Sequence, residues 1–436
     1  MFAAERNGYK PTLIEDICRW AYSFVLVFVI PFAFLQLMLR GATRNKNYNR
    51  RRFERFGFVS HAPKENGYLF HCVSVGEVVA ASCLIKRIMQ DEPECQITVT
   101  TTTPTGSARV RAIFGDTVHH FYLPYDLHMA MAGMLKRIKP KAVLITEVEL
   151  WPNLIHACWK RDIPVMVVNA RMTDRSARRY KKISKLFNPM LGKLYHICAQ
   201  GERDFANYAW LGVSEQKLTL TNNIKFDQVV STVASGHPFL GLSKEEYPIL
   251  VAGSTHDTEE TAVLNAAKLL WRKSPSLKVI IVPRHPERFD SVAKLIEATG
   301  LPFVRSSQEQ SVPENTNVIL LDEMGKLNDA YAVGAFAFVG GSIADKGGHN
   351  ALEPASFSIP IMMGPNTYNN PVICSHLEEC GALVKIDSGE EMFTIVDKWI
   401  CEPNERKKAG QAGRKVLEDN SGALESTVQC IRKYVN

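Results

Sequence analysis

The stretch FHCVSVGEVVAA, residues 70–81, sets a single carboxylate, Glu77, directly after Gly76, where a mostly apolar run gives way to a helix-like one. In a first helical turn such a carboxylate complements the helix dipole. Facing a substrate, it can instead take a proton. TTTPTGSAR (101–109) follows another apolar run with the hydroxyls of Thr103 and Thr105 and with Gly106. TEVELWPNL (146–154) places Glu147 and Glu149 at an expected strand tip, spaced like a D-x-D metal motif. No carboxylate or histidine motif nearby completes a metal cage, so the pair is expected to bind substrate or to meet an arginine. NARMTDRSARRY (169–180) supplies Arg171, Arg175, Arg178 and Arg179, either as anion ligands or as a solvated helix face.

The second half carries a different chemistry. In VGGSIADKGGHNALEPASF (339–357) a strand is expected to end at Gly340-Gly341-Ser342, a loop to turn at Gly347-Gly348, and a helix to start near Asn350. Glycines let backbone approach a ligand closely, and a helix N-terminus offers N–H groups to an anion. The spacing matches neither a dinucleotide fingerprint nor a P-loop. Glu353, three residues after Asn350, reads as a capping box partner or as an acceptor for ribose hydroxyls. VPRHPERF (282–289) puts Arg284 and His285 at another strand tip, as phosphate ligands or as a surface turn. GSTHDTEE (253–260) brings Ser254, Thr255 and His256 to a third strand-to-helix junction, with the hydroxyls as caps or phosphate donors. Three such junctions together describe a pocket for an anion and a nucleotide.

These residues need a scaffold of short strands and connecting helices. YLFHCV (68–73), QITVTT (96–101), KAVLIT (141–146), PVMVVNA (164–170) and YHICA (195–199) read as buried parallel strands separated by segments of helical length. After a Gly/Pro/Ser-rich break comes a second series: YPILVAGS (247–254), LKVIIVP (277–283), NVILL (317–321), AFAFVGGS (335–342) and IPIMMGP (359–365). The expected fold is α/β, with two Rossmann-like, doubly wound domains facing across a cleft. The expected divisions are an anchor and basic segment over 1–45, a first domain over 46–221, a linker over 222–246 and a second domain over 247–436. The last helices are candidates to pack back on the first domain.

The chain has 436 residues, 22% of them charged, and a formal net charge of +7, an ordinary globular composition. Its ten cysteines form no C-x-x-C and no zinc-ligand spacing, which suits reduced thiols in the cytosol. WAYSFVLVFVIPFAFLQLML, from Trp20 to Leu39, carries no charge. At about 1.5 Å per residue it matches a hydrocarbon core of about 30 Å. It is too long for a signal peptide core and lacks a small-residue cleavage site. Arg40, Arg44, Lys46, Arg50, Arg51, Arg52 and Arg55 follow it. Such a flank places the remainder in the cytosol and suits anionic lipid headgroups. Few stacking aromatics interleave with these cations, so nucleic acid is not an expected partner.

VSVGE (73–77), TTTPTG (101–106), EVELWPN (147–153), NARMTDRS (169–176), GSTH (253–256), PRHPERF (283–289) and GGHNALEPA (347–355), in that order, resemble the 3-deoxy-D-manno-octulosonate (Kdo) transferases of Gram-negative bacteria. Val148 stands where that pattern has threonine. The resemblance implies a GT-B glycosyltransferase with CMP-Kdo as donor and the tetraacylated lipid A precursor, lipid IVA, as acceptor. It further implies action at the cytoplasmic face of the inner membrane in lipopolysaccharide biosynthesis. It implies inversion, no metal, no cofactor and Glu77 as general base. The acceptor set would be Gly76, Thr103, Thr105, Glu147, Glu149, Arg171 and Arg175. The donor set would be Ser254, Thr255, His256, Arg284, His285, Gly341, Ser342, Gly347, Gly348, Asn350 and Glu353. Two other readings stay open from fold logic: a UDP-sugar transferase acting on a lipid-linked acceptor, and a tethered nucleotide-binding regulator.

Overall fold

The computed structural model describes residues 8–43, 51–59, 66–230, 239–243 and 245–435. The chain forms two compact units. The first holds residues up to Lys225 together with Ser421–Asn436, and the second holds Phe226–Asn420.

In the first unit, β1 (Tyr68–His71), β2 (Ile97–Thr101), β3 (His119–Tyr122), β4 (Ala142–Thr146), β5 (Val165–Ala170), β6 (His196–Ala199) and β7 (Leu218–Leu220) form one sheet. Their order is β3-β2-β1-β4-β5-β6-β7, and every pair is parallel. Alternate side chains serve opposite faces. Phe70, Leu144 and Met166 meet Val78, Leu84 and Ile85 of the helix Val75–Asp91 and Val428 of the C-terminal helix Ala423–Val435. Leu69, Val143 and Val167 meet Met131, Leu154 and Phe187 on the other face. With both faces covered, the strands read as apolar runs rather than alternating patterns.

The second unit is also a seven-stranded parallel sheet, with a different strand order. β8 (Ile249–Thr255), β9 (Lys278–Pro283), β10 (Phe303–Arg305), β11 (Val318–Leu320), β12 (Phe336–Val339), β13 (Ile361–Met363) and β14 (Leu383–Lys385) are ordered β10-β11-β9-β8-β12-β13-β14, again all parallel. Leu250, Ile281 and Phe338 face one core, while Val251, Ile280 and Ala337 face the other.

The apolar N-terminal run is a 31-residue helix, Leu13–Thr43, with Pro31 inside it. One face lies against the first unit. Arg19, just before the charge-free run, is buried, and its guanidinium donates to Asn153 Oδ1 at 3.2 Å. Asn153 Nδ2 in turn donates to Ser23 Oγ at 2.9 Å. Farther along, Phe34 stacks edge-on against Phe56 at 5.1 Å. The opposite face leaves Phe24, Phe28 and Phe32 between 59% and 75% exposed, an apolar surface suited to a membrane.

The basic flank is divided. The side chain of Arg40 and residues Arg44, Lys46 and Arg50 lie outside the described residues. Two of the cations expected at headgroups are instead folded into the unit. Arg51 donates to His120 O at 3.0 Å and to Ser107 Oγ at 2.8 Å. Arg55 is buried and donates to Thr102 O at 2.7 Å. Each also lies over the ring of Tyr122. Their stacking and backbone contacts take the cations that the sequence pattern assigns to lipid.

Candidate active site

Open parallel sheets bind ligands beyond the carboxyl ends of their strands, where the strand order reverses. In the first unit that point lies between β1 and β4. Glu77 follows β1 and Glu147 follows β4. Ser74 caps the helix Val75–Asp91, and its Oγ accepts from the Glu77 N–H at 3.4 Å. The Glu77 carboxylate reaches back, accepting from Val73 N at 2.8 Å and from Ser74 Oγ at 2.9 Å. This is a variant of the capping box, reaching the Val73 N–H and the Ser74 hydroxyl rather than the Ser74 N–H, and it fixes the carboxylate's position.

The helix turn does not hold the Glu77 carboxyl low, as its first-turn place suggests. Burial pushes its pKa up to about 7; the Val73 N–H opposes this, and the charges of Glu147 and Glu149 add to it. Desolvation here outweighs the helix dipole. Burial and Glu147 likewise raise Glu149. Glu147 adopts φ 63°, a left-handed conformation that non-glycine residues seldom hold and that collects at functional sites. Neither Glu147 nor Glu149 has an ion pair among the described residues. Three carboxylates therefore share one strand-end region.

The other expected acceptor residues sit around them with mixed duties. Gly76 is exposed in the first turn after Ser74. Thr103 caps the helix Pro104–Phe114 by accepting from Gly106 N, and its hydroxyl donates to Val73 O at 3.2 Å. Thr105 Oγ1 donates to Thr103 Oγ1 at 3.4 Å. Arg171 follows β5, and its N–H meets Glu147 O at 3.4 Å. Arg175 is exposed on the helix Asp174–Lys182.

In the second unit the strand order reverses between β8 and β12. Ser254, at φ 55°, sits at a register shift near the end of β8. Beside it Gly340 must be glycine: an added Cβ would lie 2.4 Å from Ser254 O. His256 stacks on His349 at 5.1 Å with their Nε2 atoms 2.8 Å apart, and the His285 ring lies 5.4 Å from His256. Burial is the first cause of the lowered pKa of His256 and of His349, and the latter falls to about 4 with help from the charge of Arg284. Burial raises Glu353, while Asn350 and the charge of Arg284 oppose that shift. Arg284 and His285 are exposed. Asn350 Nδ2 donates to Glu353 Oε1 at 3.2 Å, and Asn350 Oδ1 accepts from Leu352 N at 3.2 Å. These bonds tie the turn together but are not a capping box: the helix, Leu352–Ser356, starts after Ala351 without a side-chain cap and has five residues rather than a full run from Asn350.

Three expected donor ligands prove to be framework. Glu259 is fully buried, and its carboxylate accepts from five backbone N–H groups: His256, Gly341, Ser342, Ile343 and Ala344, at 2.8–3.2 Å. Gly341 and Ser342 N–H groups therefore face a carboxylate of the protein, not a ligand phosphate. Ser342 is 0% exposed; its hydroxyl donates to Val339 O and accepts from Gly364 N. Thr255 is also 0% exposed and donates to Glu260 Oε1 at 2.8 Å, and Arg288 grips both oxygens of Glu260 at 2.6 and 3.1 Å. Gly347 and Gly348, at φ 84° and 69°, turn the loop, and Gly348 N donates to Gly341 O.

Sequence reasoning missed His349, Glu259, Glu260 and Arg288. The two glutamates lie in the first turn of the helix Glu259–Leu270, where acidic residues are ordinary, and only their burial reveals them as loop anchors.

These two units define a fold class, the GT-B type, with two Rossmann-like parallel sheets. A solved UDP-GlcNAc 2-epimerase from Neisseria meningitidis, bound to UDP-GlcNAc, is 13% identical and shares the fold with a TM-score of 0.54, covering 85% of this chain and 100% of that one. The sequence profile of the 3-deoxy-D-manno-octulosonic-acid transferase (kdotransferase) family matches residues 50–228. A 3-deoxy-D-manno-octulosonic acid transferase from Haemophilus influenzae is 38% identical over 427 residues, 96% of this chain and 99% of the relative. One from Bordetella pertussis is 28% identical, covering 88% and 91%. The chain belongs to the Kdo transferase family.

Proposed function

We propose that this protein moves Kdo from CMP-Kdo to a sugar hydroxyl of the tetraacylated lipid A precursor, lipid IVA, in lipopolysaccharide biosynthesis, inverting the anomeric centre without a metal ion. Family membership supports Kdo transfer. The observation that carries the mechanism is Glu77: a carboxylate fixed by its capping bonds at the strand-order reversal, with a pKa of about 7. A base near the working pH combines a populated charged form with real proton affinity. Glu77 takes the proton from the acceptor hydroxyl as that oxygen attacks the anomeric carbon and the bond to the CMP phosphate breaks. One base suffices for direct displacement with inversion.

The phosphate leaves with its charge, which Arg284 stabilises beside the donors offered by His256, His285 and Asn350. Glu353 accepts from the ribose with the oxygen that Asn350 leaves free. Glu147, Glu149, Arg171 and Arg175 position the acceptor. The exposed face of the N-terminal helix holds the enzyme on the inner membrane from the cytoplasmic side, where this acceptor lies.

The test is CMP release from CMP-Kdo by purified protein in detergent. Release should require the lipid acceptor, and a UDP-sugar in place of CMP-Kdo should give no product. Release without acceptor, or UDP-sugar turnover at a comparable rate, would overturn the reading.

A further inference from the structure

His196 and Cys198 are alternate residues of β6 and so project from the same face of the strand. Cys430 and Tyr434 are one helical turn apart on the C-terminal helix Ala423–Val435. The Tyr434 ring stacks on His196, with centroids 5.1 Å apart. The result is a cluster that no local spacing announces: one nitrogen of His196 and the sulfurs of Cys198 and Cys430 all lie within 4.8 Å of one another. We infer that these three residues form a site for a single zinc-class metal ion, closed by one water or other exogenous ligand.

Four observations carry this. One imidazole and two thiolates are a ligand set that zinc favours, and three protein ligands with an open fourth position is a known arrangement. At zinc–sulfur bonds of about 2.3 Å, tetrahedral neighbours stand about 3.7 Å apart, so the cluster needs to contract by about 1 Å at most. His196 is 4% exposed; its Nε2 lies 2.8 Å from Thr219 Oγ1, while its Nδ1 has no hydrogen-bond partner. A hydroxyl on one ring nitrogen fixes the ring's orientation, as neighbours of metal-bound histidines commonly do.

Charge is the fourth. Two thiols that each lose a proton to solvent on binding a divalent ion leave a neutral centre, which apolar surroundings tolerate. Cys198 belongs to the same buried apolar core as Ile224, Val428 and Ile431, and Cys430 packs against it. Cys430 is only partly buried, so the fourth position can be reached.

The site is a staple rather than part of the transfer chemistry. The chain leaves the first unit at Lys225 and re-enters it at Ser421. The returning helix already carries ion pairs from Arg87 to Glu425 and from Arg432 to Asp91. A metal bound through Cys430 would add a bond from that helix to β6.

Full-length protein in detergent and a metal-free reductant is loaded with zinc, dialysed, and analysed for bound metal. About one zinc per chain is expected, together with a zinc-dependent rise in melting temperature. Cys430→Ser should lose both. The double variant Cys380→Ser/Cys401→Ser, which alters two exposed thiols, should keep both. Cobalt loading of the unmodified protein gives a readout independent of any variant's folding: thiolate-to-cobalt charge transfer in the near ultraviolet. Zinc well below one per chain, wild-type zinc content in Cys430→Ser, no charge-transfer band, or a Cys198–Cys430 disulfide that persists in reductant would each overturn the site.

Discussion

Glu77 sits in surroundings that oppose its charge, and that opposition sets its reactivity. Its carboxyl is held near pH 7 by burial and by the charges of Glu147 and Glu149. With Glu77 as base, kcat should rise with pH and level off above about 7, falling roughly tenfold for each unit below. Glu77→Gln should lower kcat by about 10²–10⁴ and remove that titration, with donor affinity unchanged. Stability gives a second readout with a defined sign. From its ordinary value of 4.5 up to about 7 the folded protein keeps a proton that the unfolded chain has released, so stability should fall as pH rises through that window. The fall should be smaller in Glu77→Gln, as paired thermal melts at pH 5 and pH 8 would show. A kcat within threefold of wild type would remove Glu77 from proton transfer, provided that chemistry limits the rate. In the second unit, Glu259→Gln replaces one accepting oxygen with a donor that faces several backbone N–H groups. It should cost about 3–5 kcal/mol in denaturant unfolding and weaken CMP binding through the displaced loop. Unchanged stability would show that the loop does not depend on this carboxylate.

Elements show what the sequence made legible. The five inner strands of each sheet stand out as apolar runs because both of their faces are buried. The four strands that went unread, β3, β7, β10 and β14, are the sheet edges. They have three or four residues each; HHFY and LTL carry little apolar periodicity, and FVR is only partly buried. The site junctions were legible because glycines, hydroxyls and charges at strand ends keep their local chemistry. Which of them touch ligand was not, because burial decides it: Ser342 and Thr255 have the right side chains but lie inside the fold.

The N-terminal helix is a case of both. Its apolar length is plain in the sequence, but its docking through Arg19, Ser23 and Asn153 joins residues about 130 positions apart. Removing the helix would uncover the buried Asn153, so it would disturb the fold as well as test the anchor. The triple change Phe24→Gln, Phe28→Gln and Phe32→Gln acts on the exposed face alone. It should move most of the protein from the membrane to the soluble fraction at high salt, with the melting temperature nearly unchanged. Full membrane retention would show that this face is not the anchor.

At the scale of the whole molecule, two seven-stranded parallel sheets of different strand order gather opposite kinds of side chain. The first unit gathers three carboxylates at its strand ends, and the second gathers an arginine and three histidines. One suits deprotonation of a hydroxyl, the other suits an anionic donor. CMP should therefore raise the melting temperature more than UDP at equal concentration, and Arg284→Ala should reduce the CMP effect more than that of cytidine. Equal shifts with CMP and UDP would leave nucleotide choice unexplained by this site. The most direct measurement is the product itself. Purified protein, CMP-Kdo and the tetraacylated disaccharide should yield, by mass spectrometry, acceptor enlarged by one or more Kdo residues, and Glu77→Gln should yield far less in the same time. An acceptor mass left unchanged by active, folded, CMP-binding protein would contradict the account.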